Sequence, residues 1–281
     1  MKVHLDCFPC FLRQSIIALR LGTSDEPLQE RILKSILPEI QIADTSVPPA
    51  YTTTFIHRKI RQMLGKDPFK DLKSECNKIA LEFYPSLKIL VRKSEDPVRT
   101  ATILAIAGNI IDFGIFTSVD IEGTIRTALN NPLAVDDYNA FRNAISEADK
   151  ILYLADNAGE IVFDRILAET LISIGKKVTV VVKGFPVIND STFEDALESG
   201  LTGICEVIDN GSDAVGTVLP WTSSTFQEQF AKAELIISKG QGNFETTTGI
   251  QKNIFFLFQS KCDVVSKELA LSKGSMLLKK S

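Results

Sequence analysis

The stretch Ile151-Leu152-Tyr153-Leu154-Ala155-Asp156-Asn157-Ala158-Gly159-Glu160 decides how the rest of the chain is interpreted. Its apolar first half predicts a buried strand, and the pattern after Glu160 predicts an amphipathic helix. An acid, an amide and a second acid stand between the two elements. Because open α/β sheets bind ligands beyond the carboxyl ends of their strands, this junction indicates a functional site.

Strands and helices alternate through the second half of the chain. Strands are predicted at 150–155, 177–183, 203–208, 234–238 and 253–259, and helices at 160–174, 191–199 and 223–232. Alternation of this kind implies parallel pairing with right-handed crossovers. We therefore expect a three-layer α/β fold with a Rossmann-like, mostly parallel sheet over residues 149–281.

The first half of the chain is predicted to be a mainly helical domain, residues 1–148. Asp67-Pro68 and Asp96-Pro97 are helix-start signals, and further helical stretches are expected around 121–129 and 134–148. One strand is considered before residue 150, at 87–91.

Composition excludes several classes of protein. The 281 residues carry a net charge of −4, and the basic residues form no stripe, so a nucleic-acid partner is not expected. The longest apolar stretch, 101–116, is interrupted by Asn109 and Asp112, whereas a membrane span needs about 20 apolar residues. The N-terminus lacks the apolar core of a signal peptide. We expect no membrane partner and a cytoplasmic location, and the sequence leaves a homo-oligomer open.

The five cysteines are too scattered for a secreted disulfide framework. Only Cys7 and Cys10 form a local pair, in Cys7-Phe8-Pro9-Cys10. This pair fits half of a zinc site, a redox pair or two structural thiols. A structural zinc needs four ligands and no second pair of this spacing exists, so a structural role is favoured.

Polar residues collect where three predicted strands end, at 156–160, 183–190 and 239–245. In a parallel sheet these ends share one edge, with neighbouring strands about 4.8 Å apart. Each end has a simpler explanation, because Asp156, Asn157 or Asp190 could cap a helix and Ser191 with Glu194 has capping-box spacing. Capping does not explain Lys183 and Lys239 beside glycine-rich turns, so the three ends together favour a site.

The residue types at this edge indicate phosphate chemistry. Asp156, Asn157 and Asp190 are hard oxygen donors, which suit Mg²⁺ or Mn²⁺. Lys183 and Lys239 add positive charge, and glycines such as Gly240 allow backbone N–H groups to approach an anion. In the helical half, Asn109 and Asp112 stand three apart on one helix face and either meet solvent or line a cavity.

Several motifs, in this order, resemble the family once called domain of unknown function 89 and now described as damage-control phosphatases. The motifs are Cys7-Phe8-Pro9-Cys10, Asp67-Pro68-Phe69-Lys70, Gly108-Asn109 with Asp112-Phe113-Gly114, Asp156-Asn157-Ala158-Gly159-Glu160, Lys183-Gly184-Phe185-Pro186-Val187-Ile188-Asn189-Asp190 and Lys239-Gly240-Gln241-Gly242-Asn243-Phe244-Glu245. The Cys7–Cys10 pair resembles the prokaryotic and archaeal branch. The late R-T-x-K signature of the eukaryotic branch is missing from the sequence.

The resemblance implies a helical region before a Rossmann-like domain, and hydrolysis of small phosphorylated metabolites with Mn²⁺, Co²⁺, Ni²⁺ or Mg²⁺. It also implies that Asp156, Asn157 and Asp190 ligate the metal and that Lys239 is the family's glycine-flanked lysine.

Residues and resemblance together lead to the hypothesis of a metal-dependent phosphomonoester hydrolase acting on a small phosphorylated metabolite. The candidate catalytic residues are Asp156, Glu160 and Lys239, and the candidate substrate contacts are Asn109, Asp112, Lys183, Gly240 and Asn243. Attack by water and attack by a carboxylate both stay open. Two alternatives keep the fold: a carboxyl methyltransferase that uses S-adenosylmethionine, and a non-catalytic protein that binds a phosphorylated ligand.

Overall fold

A computed structural model describes residues 1–110 and 120–281. These ranges contain one sheet of seven strands and twelve α-helices. The strands are β1 (Val135–Asp136), β2 (Lys150–Leu154), β3 (Lys177–Val182), β4 (Glu206–Asp209), β5 (Leu235–Lys239), β6 (Ile254–Gln259) and β7 (Met276–Lys280). The helices are α1 (Cys7–Gly22), α2 (Glu26–Gln41), α3 (Pro49–Leu64), α4 (Lys70–Lys93), α5 (Pro97–Ile110), α6 (Ile121–Asn130), α7 (Tyr138–Glu147), α8 (Glu160–Ser173), α9 (Phe193–Glu198), α10 (Ser224–Lys232), α11 (Gly240–Thr247) and α12 (Asp263–Glu268).

The strand order is β1-β7-β6-β5-β2-β3-β4. From β4 through β6 every neighbouring pair is parallel, and β7 is antiparallel to β6. The predicted mostly parallel, Rossmann-like sheet is therefore confirmed. β7 was not predicted; its residues Met276, Leu277 and Leu278 are all buried, so the strand shows no apolar–polar alternation.

Alternate residues of the strands face two different cores, which gives the three expected layers. Tyr153 of β2 belongs to a cluster with Phe163 of α8, whereas Leu152 belongs to a second cluster with Phe226 of α10 and Phe244 of α11. β2 is buried on both faces because both layers of helices cover it. Its continuous apolar sequence is typical of a central parallel strand.

The helical half contributes to two cores. Helices α1 to α3 supply most of one cluster, which includes Phe11, Ile36 and Ile60, while α4 and α5 pack into the cluster that covers β2. The predicted domain boundary after residue 148 stays a prediction. None of the helices in the described ranges is both long and apolar enough to span a membrane.

Several predicted elements are corrected by the structure. Residues 87–91 are helical, because Leu87 and Val91 stand one turn apart on the buried face of α4. The helix expected from residue 134 begins at Tyr138, after β1, and the strand expected at 203 begins at Glu206, after a 3₁₀ turn over Leu201–Gly203.

The predicted capping box at Ser191 and Glu194 is also wrong. Thr192 caps α9, and its backbone N–H and hydroxyl donate to Asp195 Oδ2 at 2.8 and 2.7 Å. The Ser191 backbone is instead held by Lys183 and Asp156: its carbonyl accepts from Lys183 N, and its N–H donates to Asp156 O.

His57 on α3 makes stability depend on pH. Burial, with a smaller effect of the Arg61 charge, lowers the pKa of His57 from 6.5 to about 3. The unfolded chain therefore binds a proton below pH 6.5 that the folded chain does not bind until about pH 3, so this contribution to stability falls as the pH falls through that window.

Between pH 8 and pH 5 we expect wild type to lose about 2 kcal/mol more unfolding free energy than His57→Leu. Urea unfolding at both pH values measures this. Equal losses in His57→Leu and wild type would contradict the assignment.

Candidate functional site

The predicted site lies where the sheet reverses its direction of growth. From the central strand β2 the chain proceeds to β3 and β4 on one side, and then to β5 and β6 on the other. The residues after β2 and β5 thus meet at the switch point, the usual ligand position in such sheets. The contact is close: a Cβ placed on Gly240 would lie 1.9 Å from Asp156 Oδ2. The Asp156 carboxylate therefore rests directly against the Gly240 backbone.

Two side-chain amides join Asp156 to Glu160. Asn157 Nδ2 donates to Asp156 Oδ2 at 2.7 Å and to Glu160 Oε2 at 3.0 Å. Asn109 Nδ2, from α5, donates to the same two oxygens at 3.0 and 2.9 Å. The N–H of Gln259 holds Asn109 Oδ1 at 3.1 Å. The structure thus brings Asn109, which the sequence placed either at solvent or at a cavity, into contact with the predicted metal ligand Asp156.

Lys239, at the end of β5, contacts Glu160 and is completely buried. Its Nζ donates to Glu160 Oε1 at 2.6 Å and to Asp164 Oδ1 at 2.5 Å, and Tyr153 Oη donates to Asp164 Oδ1 at 2.8 Å. Carboxylates are therefore the described partners of its ammonium group, and the predicted contact with phosphate stays a prediction.

Asp190 joins the site through the loop after β3. A backbone bridge pairs residues 157 and 190, and Ser191 N donates to Asp156 O at 2.7 Å. Lys183 Nζ lies 3.4 Å from Asp190 Oδ2 and also donates to the carbonyl of Gly216. The three predicted metal ligands, Asp156, Asn157 and Asp190, are thus on adjoining backbone segments.

Carboxylates outnumber lysines among the direct contacts of the site, and the charges of Lys261 and Lys73 act on Asp156 and Asp190 from further away. Within the described residues, the contacts above connect four carboxylates, Asp156, Glu160, Asp164 and Asp190, with two lysines, Lys183 and Lys239. Burial, followed by the charges of Glu160 and Asp190, raises the pKa of Asp156 well above its ordinary value. Burial also raises the pKa of Asp190, against the opposing effect of Lys183. A divalent cation would relieve this repulsion between carboxylates.

The donors fit a hard divalent cation. Within the described ranges no three His, Cys, Asp or Glu side chains form a group that could hold a metal, so the predicted set depends on an amide oxygen as its third donor. Asn157 uses its nitrogen for Asp156 and Glu160, and none of the described residues donates to Asn157 Oδ1. Two carboxylates and a free amide oxygen are ligands that Mg²⁺ and Mn²⁺ accept.

The capping explanation of Asp156 and Asn157 is wrong. Gly159, with φ +76°, occupies the N-cap position of α8, and no side chain of that position caps the helix. Asn77 of α4 accepts the Gly159 N–H at 2.7 Å instead. Because a residue from another helix satisfies the start of α8, the side chains of 156 and 157 remain available for a ligand.

The remaining predicted contacts differ in their surroundings. Both ends of the Asn243 amide are hydrogen-bonded. Its nitrogen donates to the carbonyls of Ala155 and Lys239, and its oxygen accepts from the Thr217 hydroxyl. It braces the ends of β2 and β5, and its predicted contact with substrate stays a prediction. Asp112 lies outside the described residues.

Asp164 and Asn77 are parts of the site that sequence reasoning missed. Both side chains are fully buried. A signal exists for Asp164, which stands one turn after Glu160 in an otherwise apolar helix face. Asn77 had no local signal, because its partner Gly159 is 82 residues away in the chain.

The cysteines of the N-terminal pair are free thiols, as are the other three. Cys7 begins α1 and is buried, and its Sγ accepts from His4 N at 3.4 Å, whereas Cys10 is exposed. Burial raises the pKa of the Cys7 thiol, which disfavours a reactive thiolate at that position. The structural role of the pair stays a prediction.

Comparison with known proteins gives one consistent result. Residues 3–277 match the family model described as the damage-control phosphatase ARMT1-like domain. The chain is 35% identical to a damage-control phosphatase of Pyrococcus horikoshii (99% of this chain, 97% of the relative) and 32% identical to one of Archaeoglobus fulgidus (99% of each). An uncharacterised protein of Methanocaldococcus jannaschii is 36% identical (100% and 96%). The crystal structure of a DUF89 family protein from Pyrococcus horikoshii superposes with a TM-score of 0.91 at 34% identity (100% and 99%).

Proposed function

We propose that this chain, which belongs to the damage-control phosphatase family with an ARMT1-like domain, hydrolyses phosphomonoesters of small metabolites. The proposed reaction uses a divalent metal. Sugar phosphates and damaged phosphometabolites are the proposed substrates, and Mn²⁺, Co²⁺, Ni²⁺ and Mg²⁺ the proposed metals. The observation that carries the proposal is the Asp156 carboxylate, held against Gly240 at the switch point beside Asn157 and Asp190. We also propose a cytoplasmic location and membership of the branch with the Cys7–Cys10 pair.

In this proposal Asp156, Asn157 and Asp190 hold the metal. The metal would supply a Lewis acid that stabilises charge on the phosphoryl oxygens. Asn109 fixes the Asp156 carboxylate from the side of α5. Contact with Gly240 and hydrogen bonds from Asn109 and Asn157 orient that carboxylate, so the ligand is preorganised before a metal arrives.

The lysines and Glu160 have supporting roles in the same proposal. Lys183 contacts Asp190 and would neutralise phosphate charge beside it. Glu160 accepts from Lys239, Asn109 and Asn157, which favours positioning of Asn157 over proton transfer. The Gly240 backbone is the proposed approach for a phosphoryl oxygen.

The test is hydrolysis of p-nitrophenyl phosphate and a panel of sugar phosphates with each metal, or with EDTA. We expect turnover with at least one metal and its loss in EDTA. Asp190→Asn should lower kcat/KM by about 100-fold or more, because it removes the charge of a proposed ligand. Asp136→Asn is the matched control, since Asp136 pairs with Arg99 at the sheet edge, four strand spacings or roughly 19 Å from β2, and should keep full activity.

Two other results would replace the proposal. Methyl transfer from S-adenosylmethionine in EDTA, without phosphatase activity, would indicate the carboxyl methyltransferase. Tight binding of a phosphate ester without turnover under all four metals would indicate a phospho-ligand binding protein. Full activity of Asp190→Asn would contradict the proposed metal ligands while leaving hydrolysis intact.

A further inference from the structure

We propose that Asp164 is a positioning residue that acts through Lys239 and Glu160 on the metal ligand Asn157. The inference rests on the proposed function, because it concerns the affinity of the same site for its metal. Asp164 itself touches none of the three proposed ligands in the described contacts.

A continuous series of short contacts connects Asp164 to the ligands. Lys239 Nζ bridges Asp164 Oδ1 and Glu160 Oε1 at 2.5 and 2.6 Å, and Glu160 Oε2 accepts from Asn157 Nδ2 at 3.0 Å. Asp164 follows Glu160 by one turn of α8, so the helix holds both acids toward the end of β5. Asp164 therefore determines where the Lys239 ammonium lies, and Glu160 transmits that position to the Asn157 amide.

The buried Lys239 ammonium would have a carboxylate partner even without Asp164. Glu160 already supplies one carboxylate for the buried ammonium, and Asp164 adds a second acid to the same group. Asp164 Oδ2 is also buried without a hydrogen-bond partner in the described part of the chain. A buried, unsatisfied carboxylate oxygen is destabilising, so an acid at this position has a cost that packing alone does not explain.

The second acid has a consequence at the metal site. With Asp164 present, two acids neutralise Lys239, and its positive charge opposes a nearby cation less strongly. The ammonium contacts one oxygen of each acid. Glu160 Oε2 is therefore left for the amides of Asn157 and Asn109. Outer carboxylates that orient metal ligands are commonly worth 10- to 100-fold in metal affinity.

The test is calorimetric titration of the metal-free protein with Mn²⁺. Asp164→Asn keeps the shape but removes the charge, and we expect Mn²⁺ to bind about 10-fold more weakly or worse. The matched control is Glu169→Gln, on the same helix, where Glu169 accepts from Tyr84 and pairs with Lys88. It should lower thermal stability and leave the Mn²⁺ Kd within about 2-fold. Unchanged Mn²⁺ affinity in folded Asp164→Asn would overturn the inference.

A double variant tests whether Asp164 acts through Lys239. The double variant Asp164→Asn with Lys239→Met is compared with Lys239→Met alone, in which Asp164 and Glu160 have lost their shared ammonium. In the Lys239→Met background, Asp164→Asn should change the Mn²⁺ Kd by less than about 2-fold. A tenfold effect that persists there would show that Asp164 acts by another route and would overturn the proposal. Wild type that binds no Mn²⁺ would overturn the proposed function itself, a result distinct from wild-type affinity in Asp164→Asn.

Discussion

Asp156→Ala is expected to abolish Mn²⁺ binding and to lower kcat/KM by at least about 1000-fold while the chain stays folded, because a bound metal contributes several kcal/mol to transition-state stabilisation. The raised pKa of Asp156 shows that its charge is unfavourable in the metal-free fold. Asn109 and Asn157, which lose an acceptor, each keep Glu160 Oε2 as a partner. The metal-free unfolding free energy should therefore stay within about 1 kcal/mol of wild type.

Thermal unfolding with and without Mn²⁺ separates the two effects. At a metal concentration 100 times Kd, wild type should gain about 2.7 kcal/mol of stability, and Asp156→Ala should gain none. Asp136→Asn, with the same type of charge removed at the sheet edge, should respond as wild type does. A metal-dependent increase in the melting temperature of Asp156→Ala, together with turnover, would refute the assignment of Asp156 as a ligand.

The sheet could be predicted because its central strands carry their own signals. The run 150–154 is apolar at nearly every position, and 177–182 is rich in valine, as expected for strands covered on both faces. β7 escaped prediction because only Met276, Leu277 and Leu278 are apolar and, all three being buried, they show no apolar–polar alternation. The helix over 87–91 was not predicted because a short apolar run, considered alone, fits the spacing of a helix as well as that of a strand.

Part of the site could be predicted from strand ends, since parallel strands place their carboxyl ends at one edge. Lys239 shows the limit of that reasoning. Strand alternation puts Lys239 on the same face as Leu235 and Ile237, and the sequence alone predicts this. In the structure that face packs toward α8. Whether its ammonium meets a phosphate or the acids Glu160 and Asp164 depends on how β5 and α8 pack, which has no local signature. The same holds for Asn77, whose role depends on the docking of α4.

Gly240→Ala is expected to lower both metal affinity and stability, because residue 240 must be a glycine for two independent reasons. Its φ of +78° strains any residue with a Cβ, at a cost of about 1–3 kcal/mol. The added methyl would also lie 1.9 Å from Asp156 Oδ2 and 2.1 Å from its Cγ, so the carboxylate must leave its position. Because a proposed ligand is displaced, we expect the Mn²⁺ Kd to rise at least about 100-fold, together with a matching loss of kcat/KM.

Gly175→Ala isolates the backbone contribution. Gly175 has φ +86°, follows α8 at its far end, and has no described atom within 4 Å of an added Cβ. It should lose stability through strain alone and keep wild-type activity and Mn²⁺ affinity. In the Asp156→Ala background the steric part of the Gly240→Ala cost should disappear, since the group that the methyl displaces is gone, and only the strain should remain. Chemical unfolding of the four proteins of this cycle measures the difference. Equal costs of Gly240→Ala in both backgrounds would mean that the Asp156 carboxylate does not rest on Gly240, and the preorganised ligand on which the proposed function depends would be lost with it.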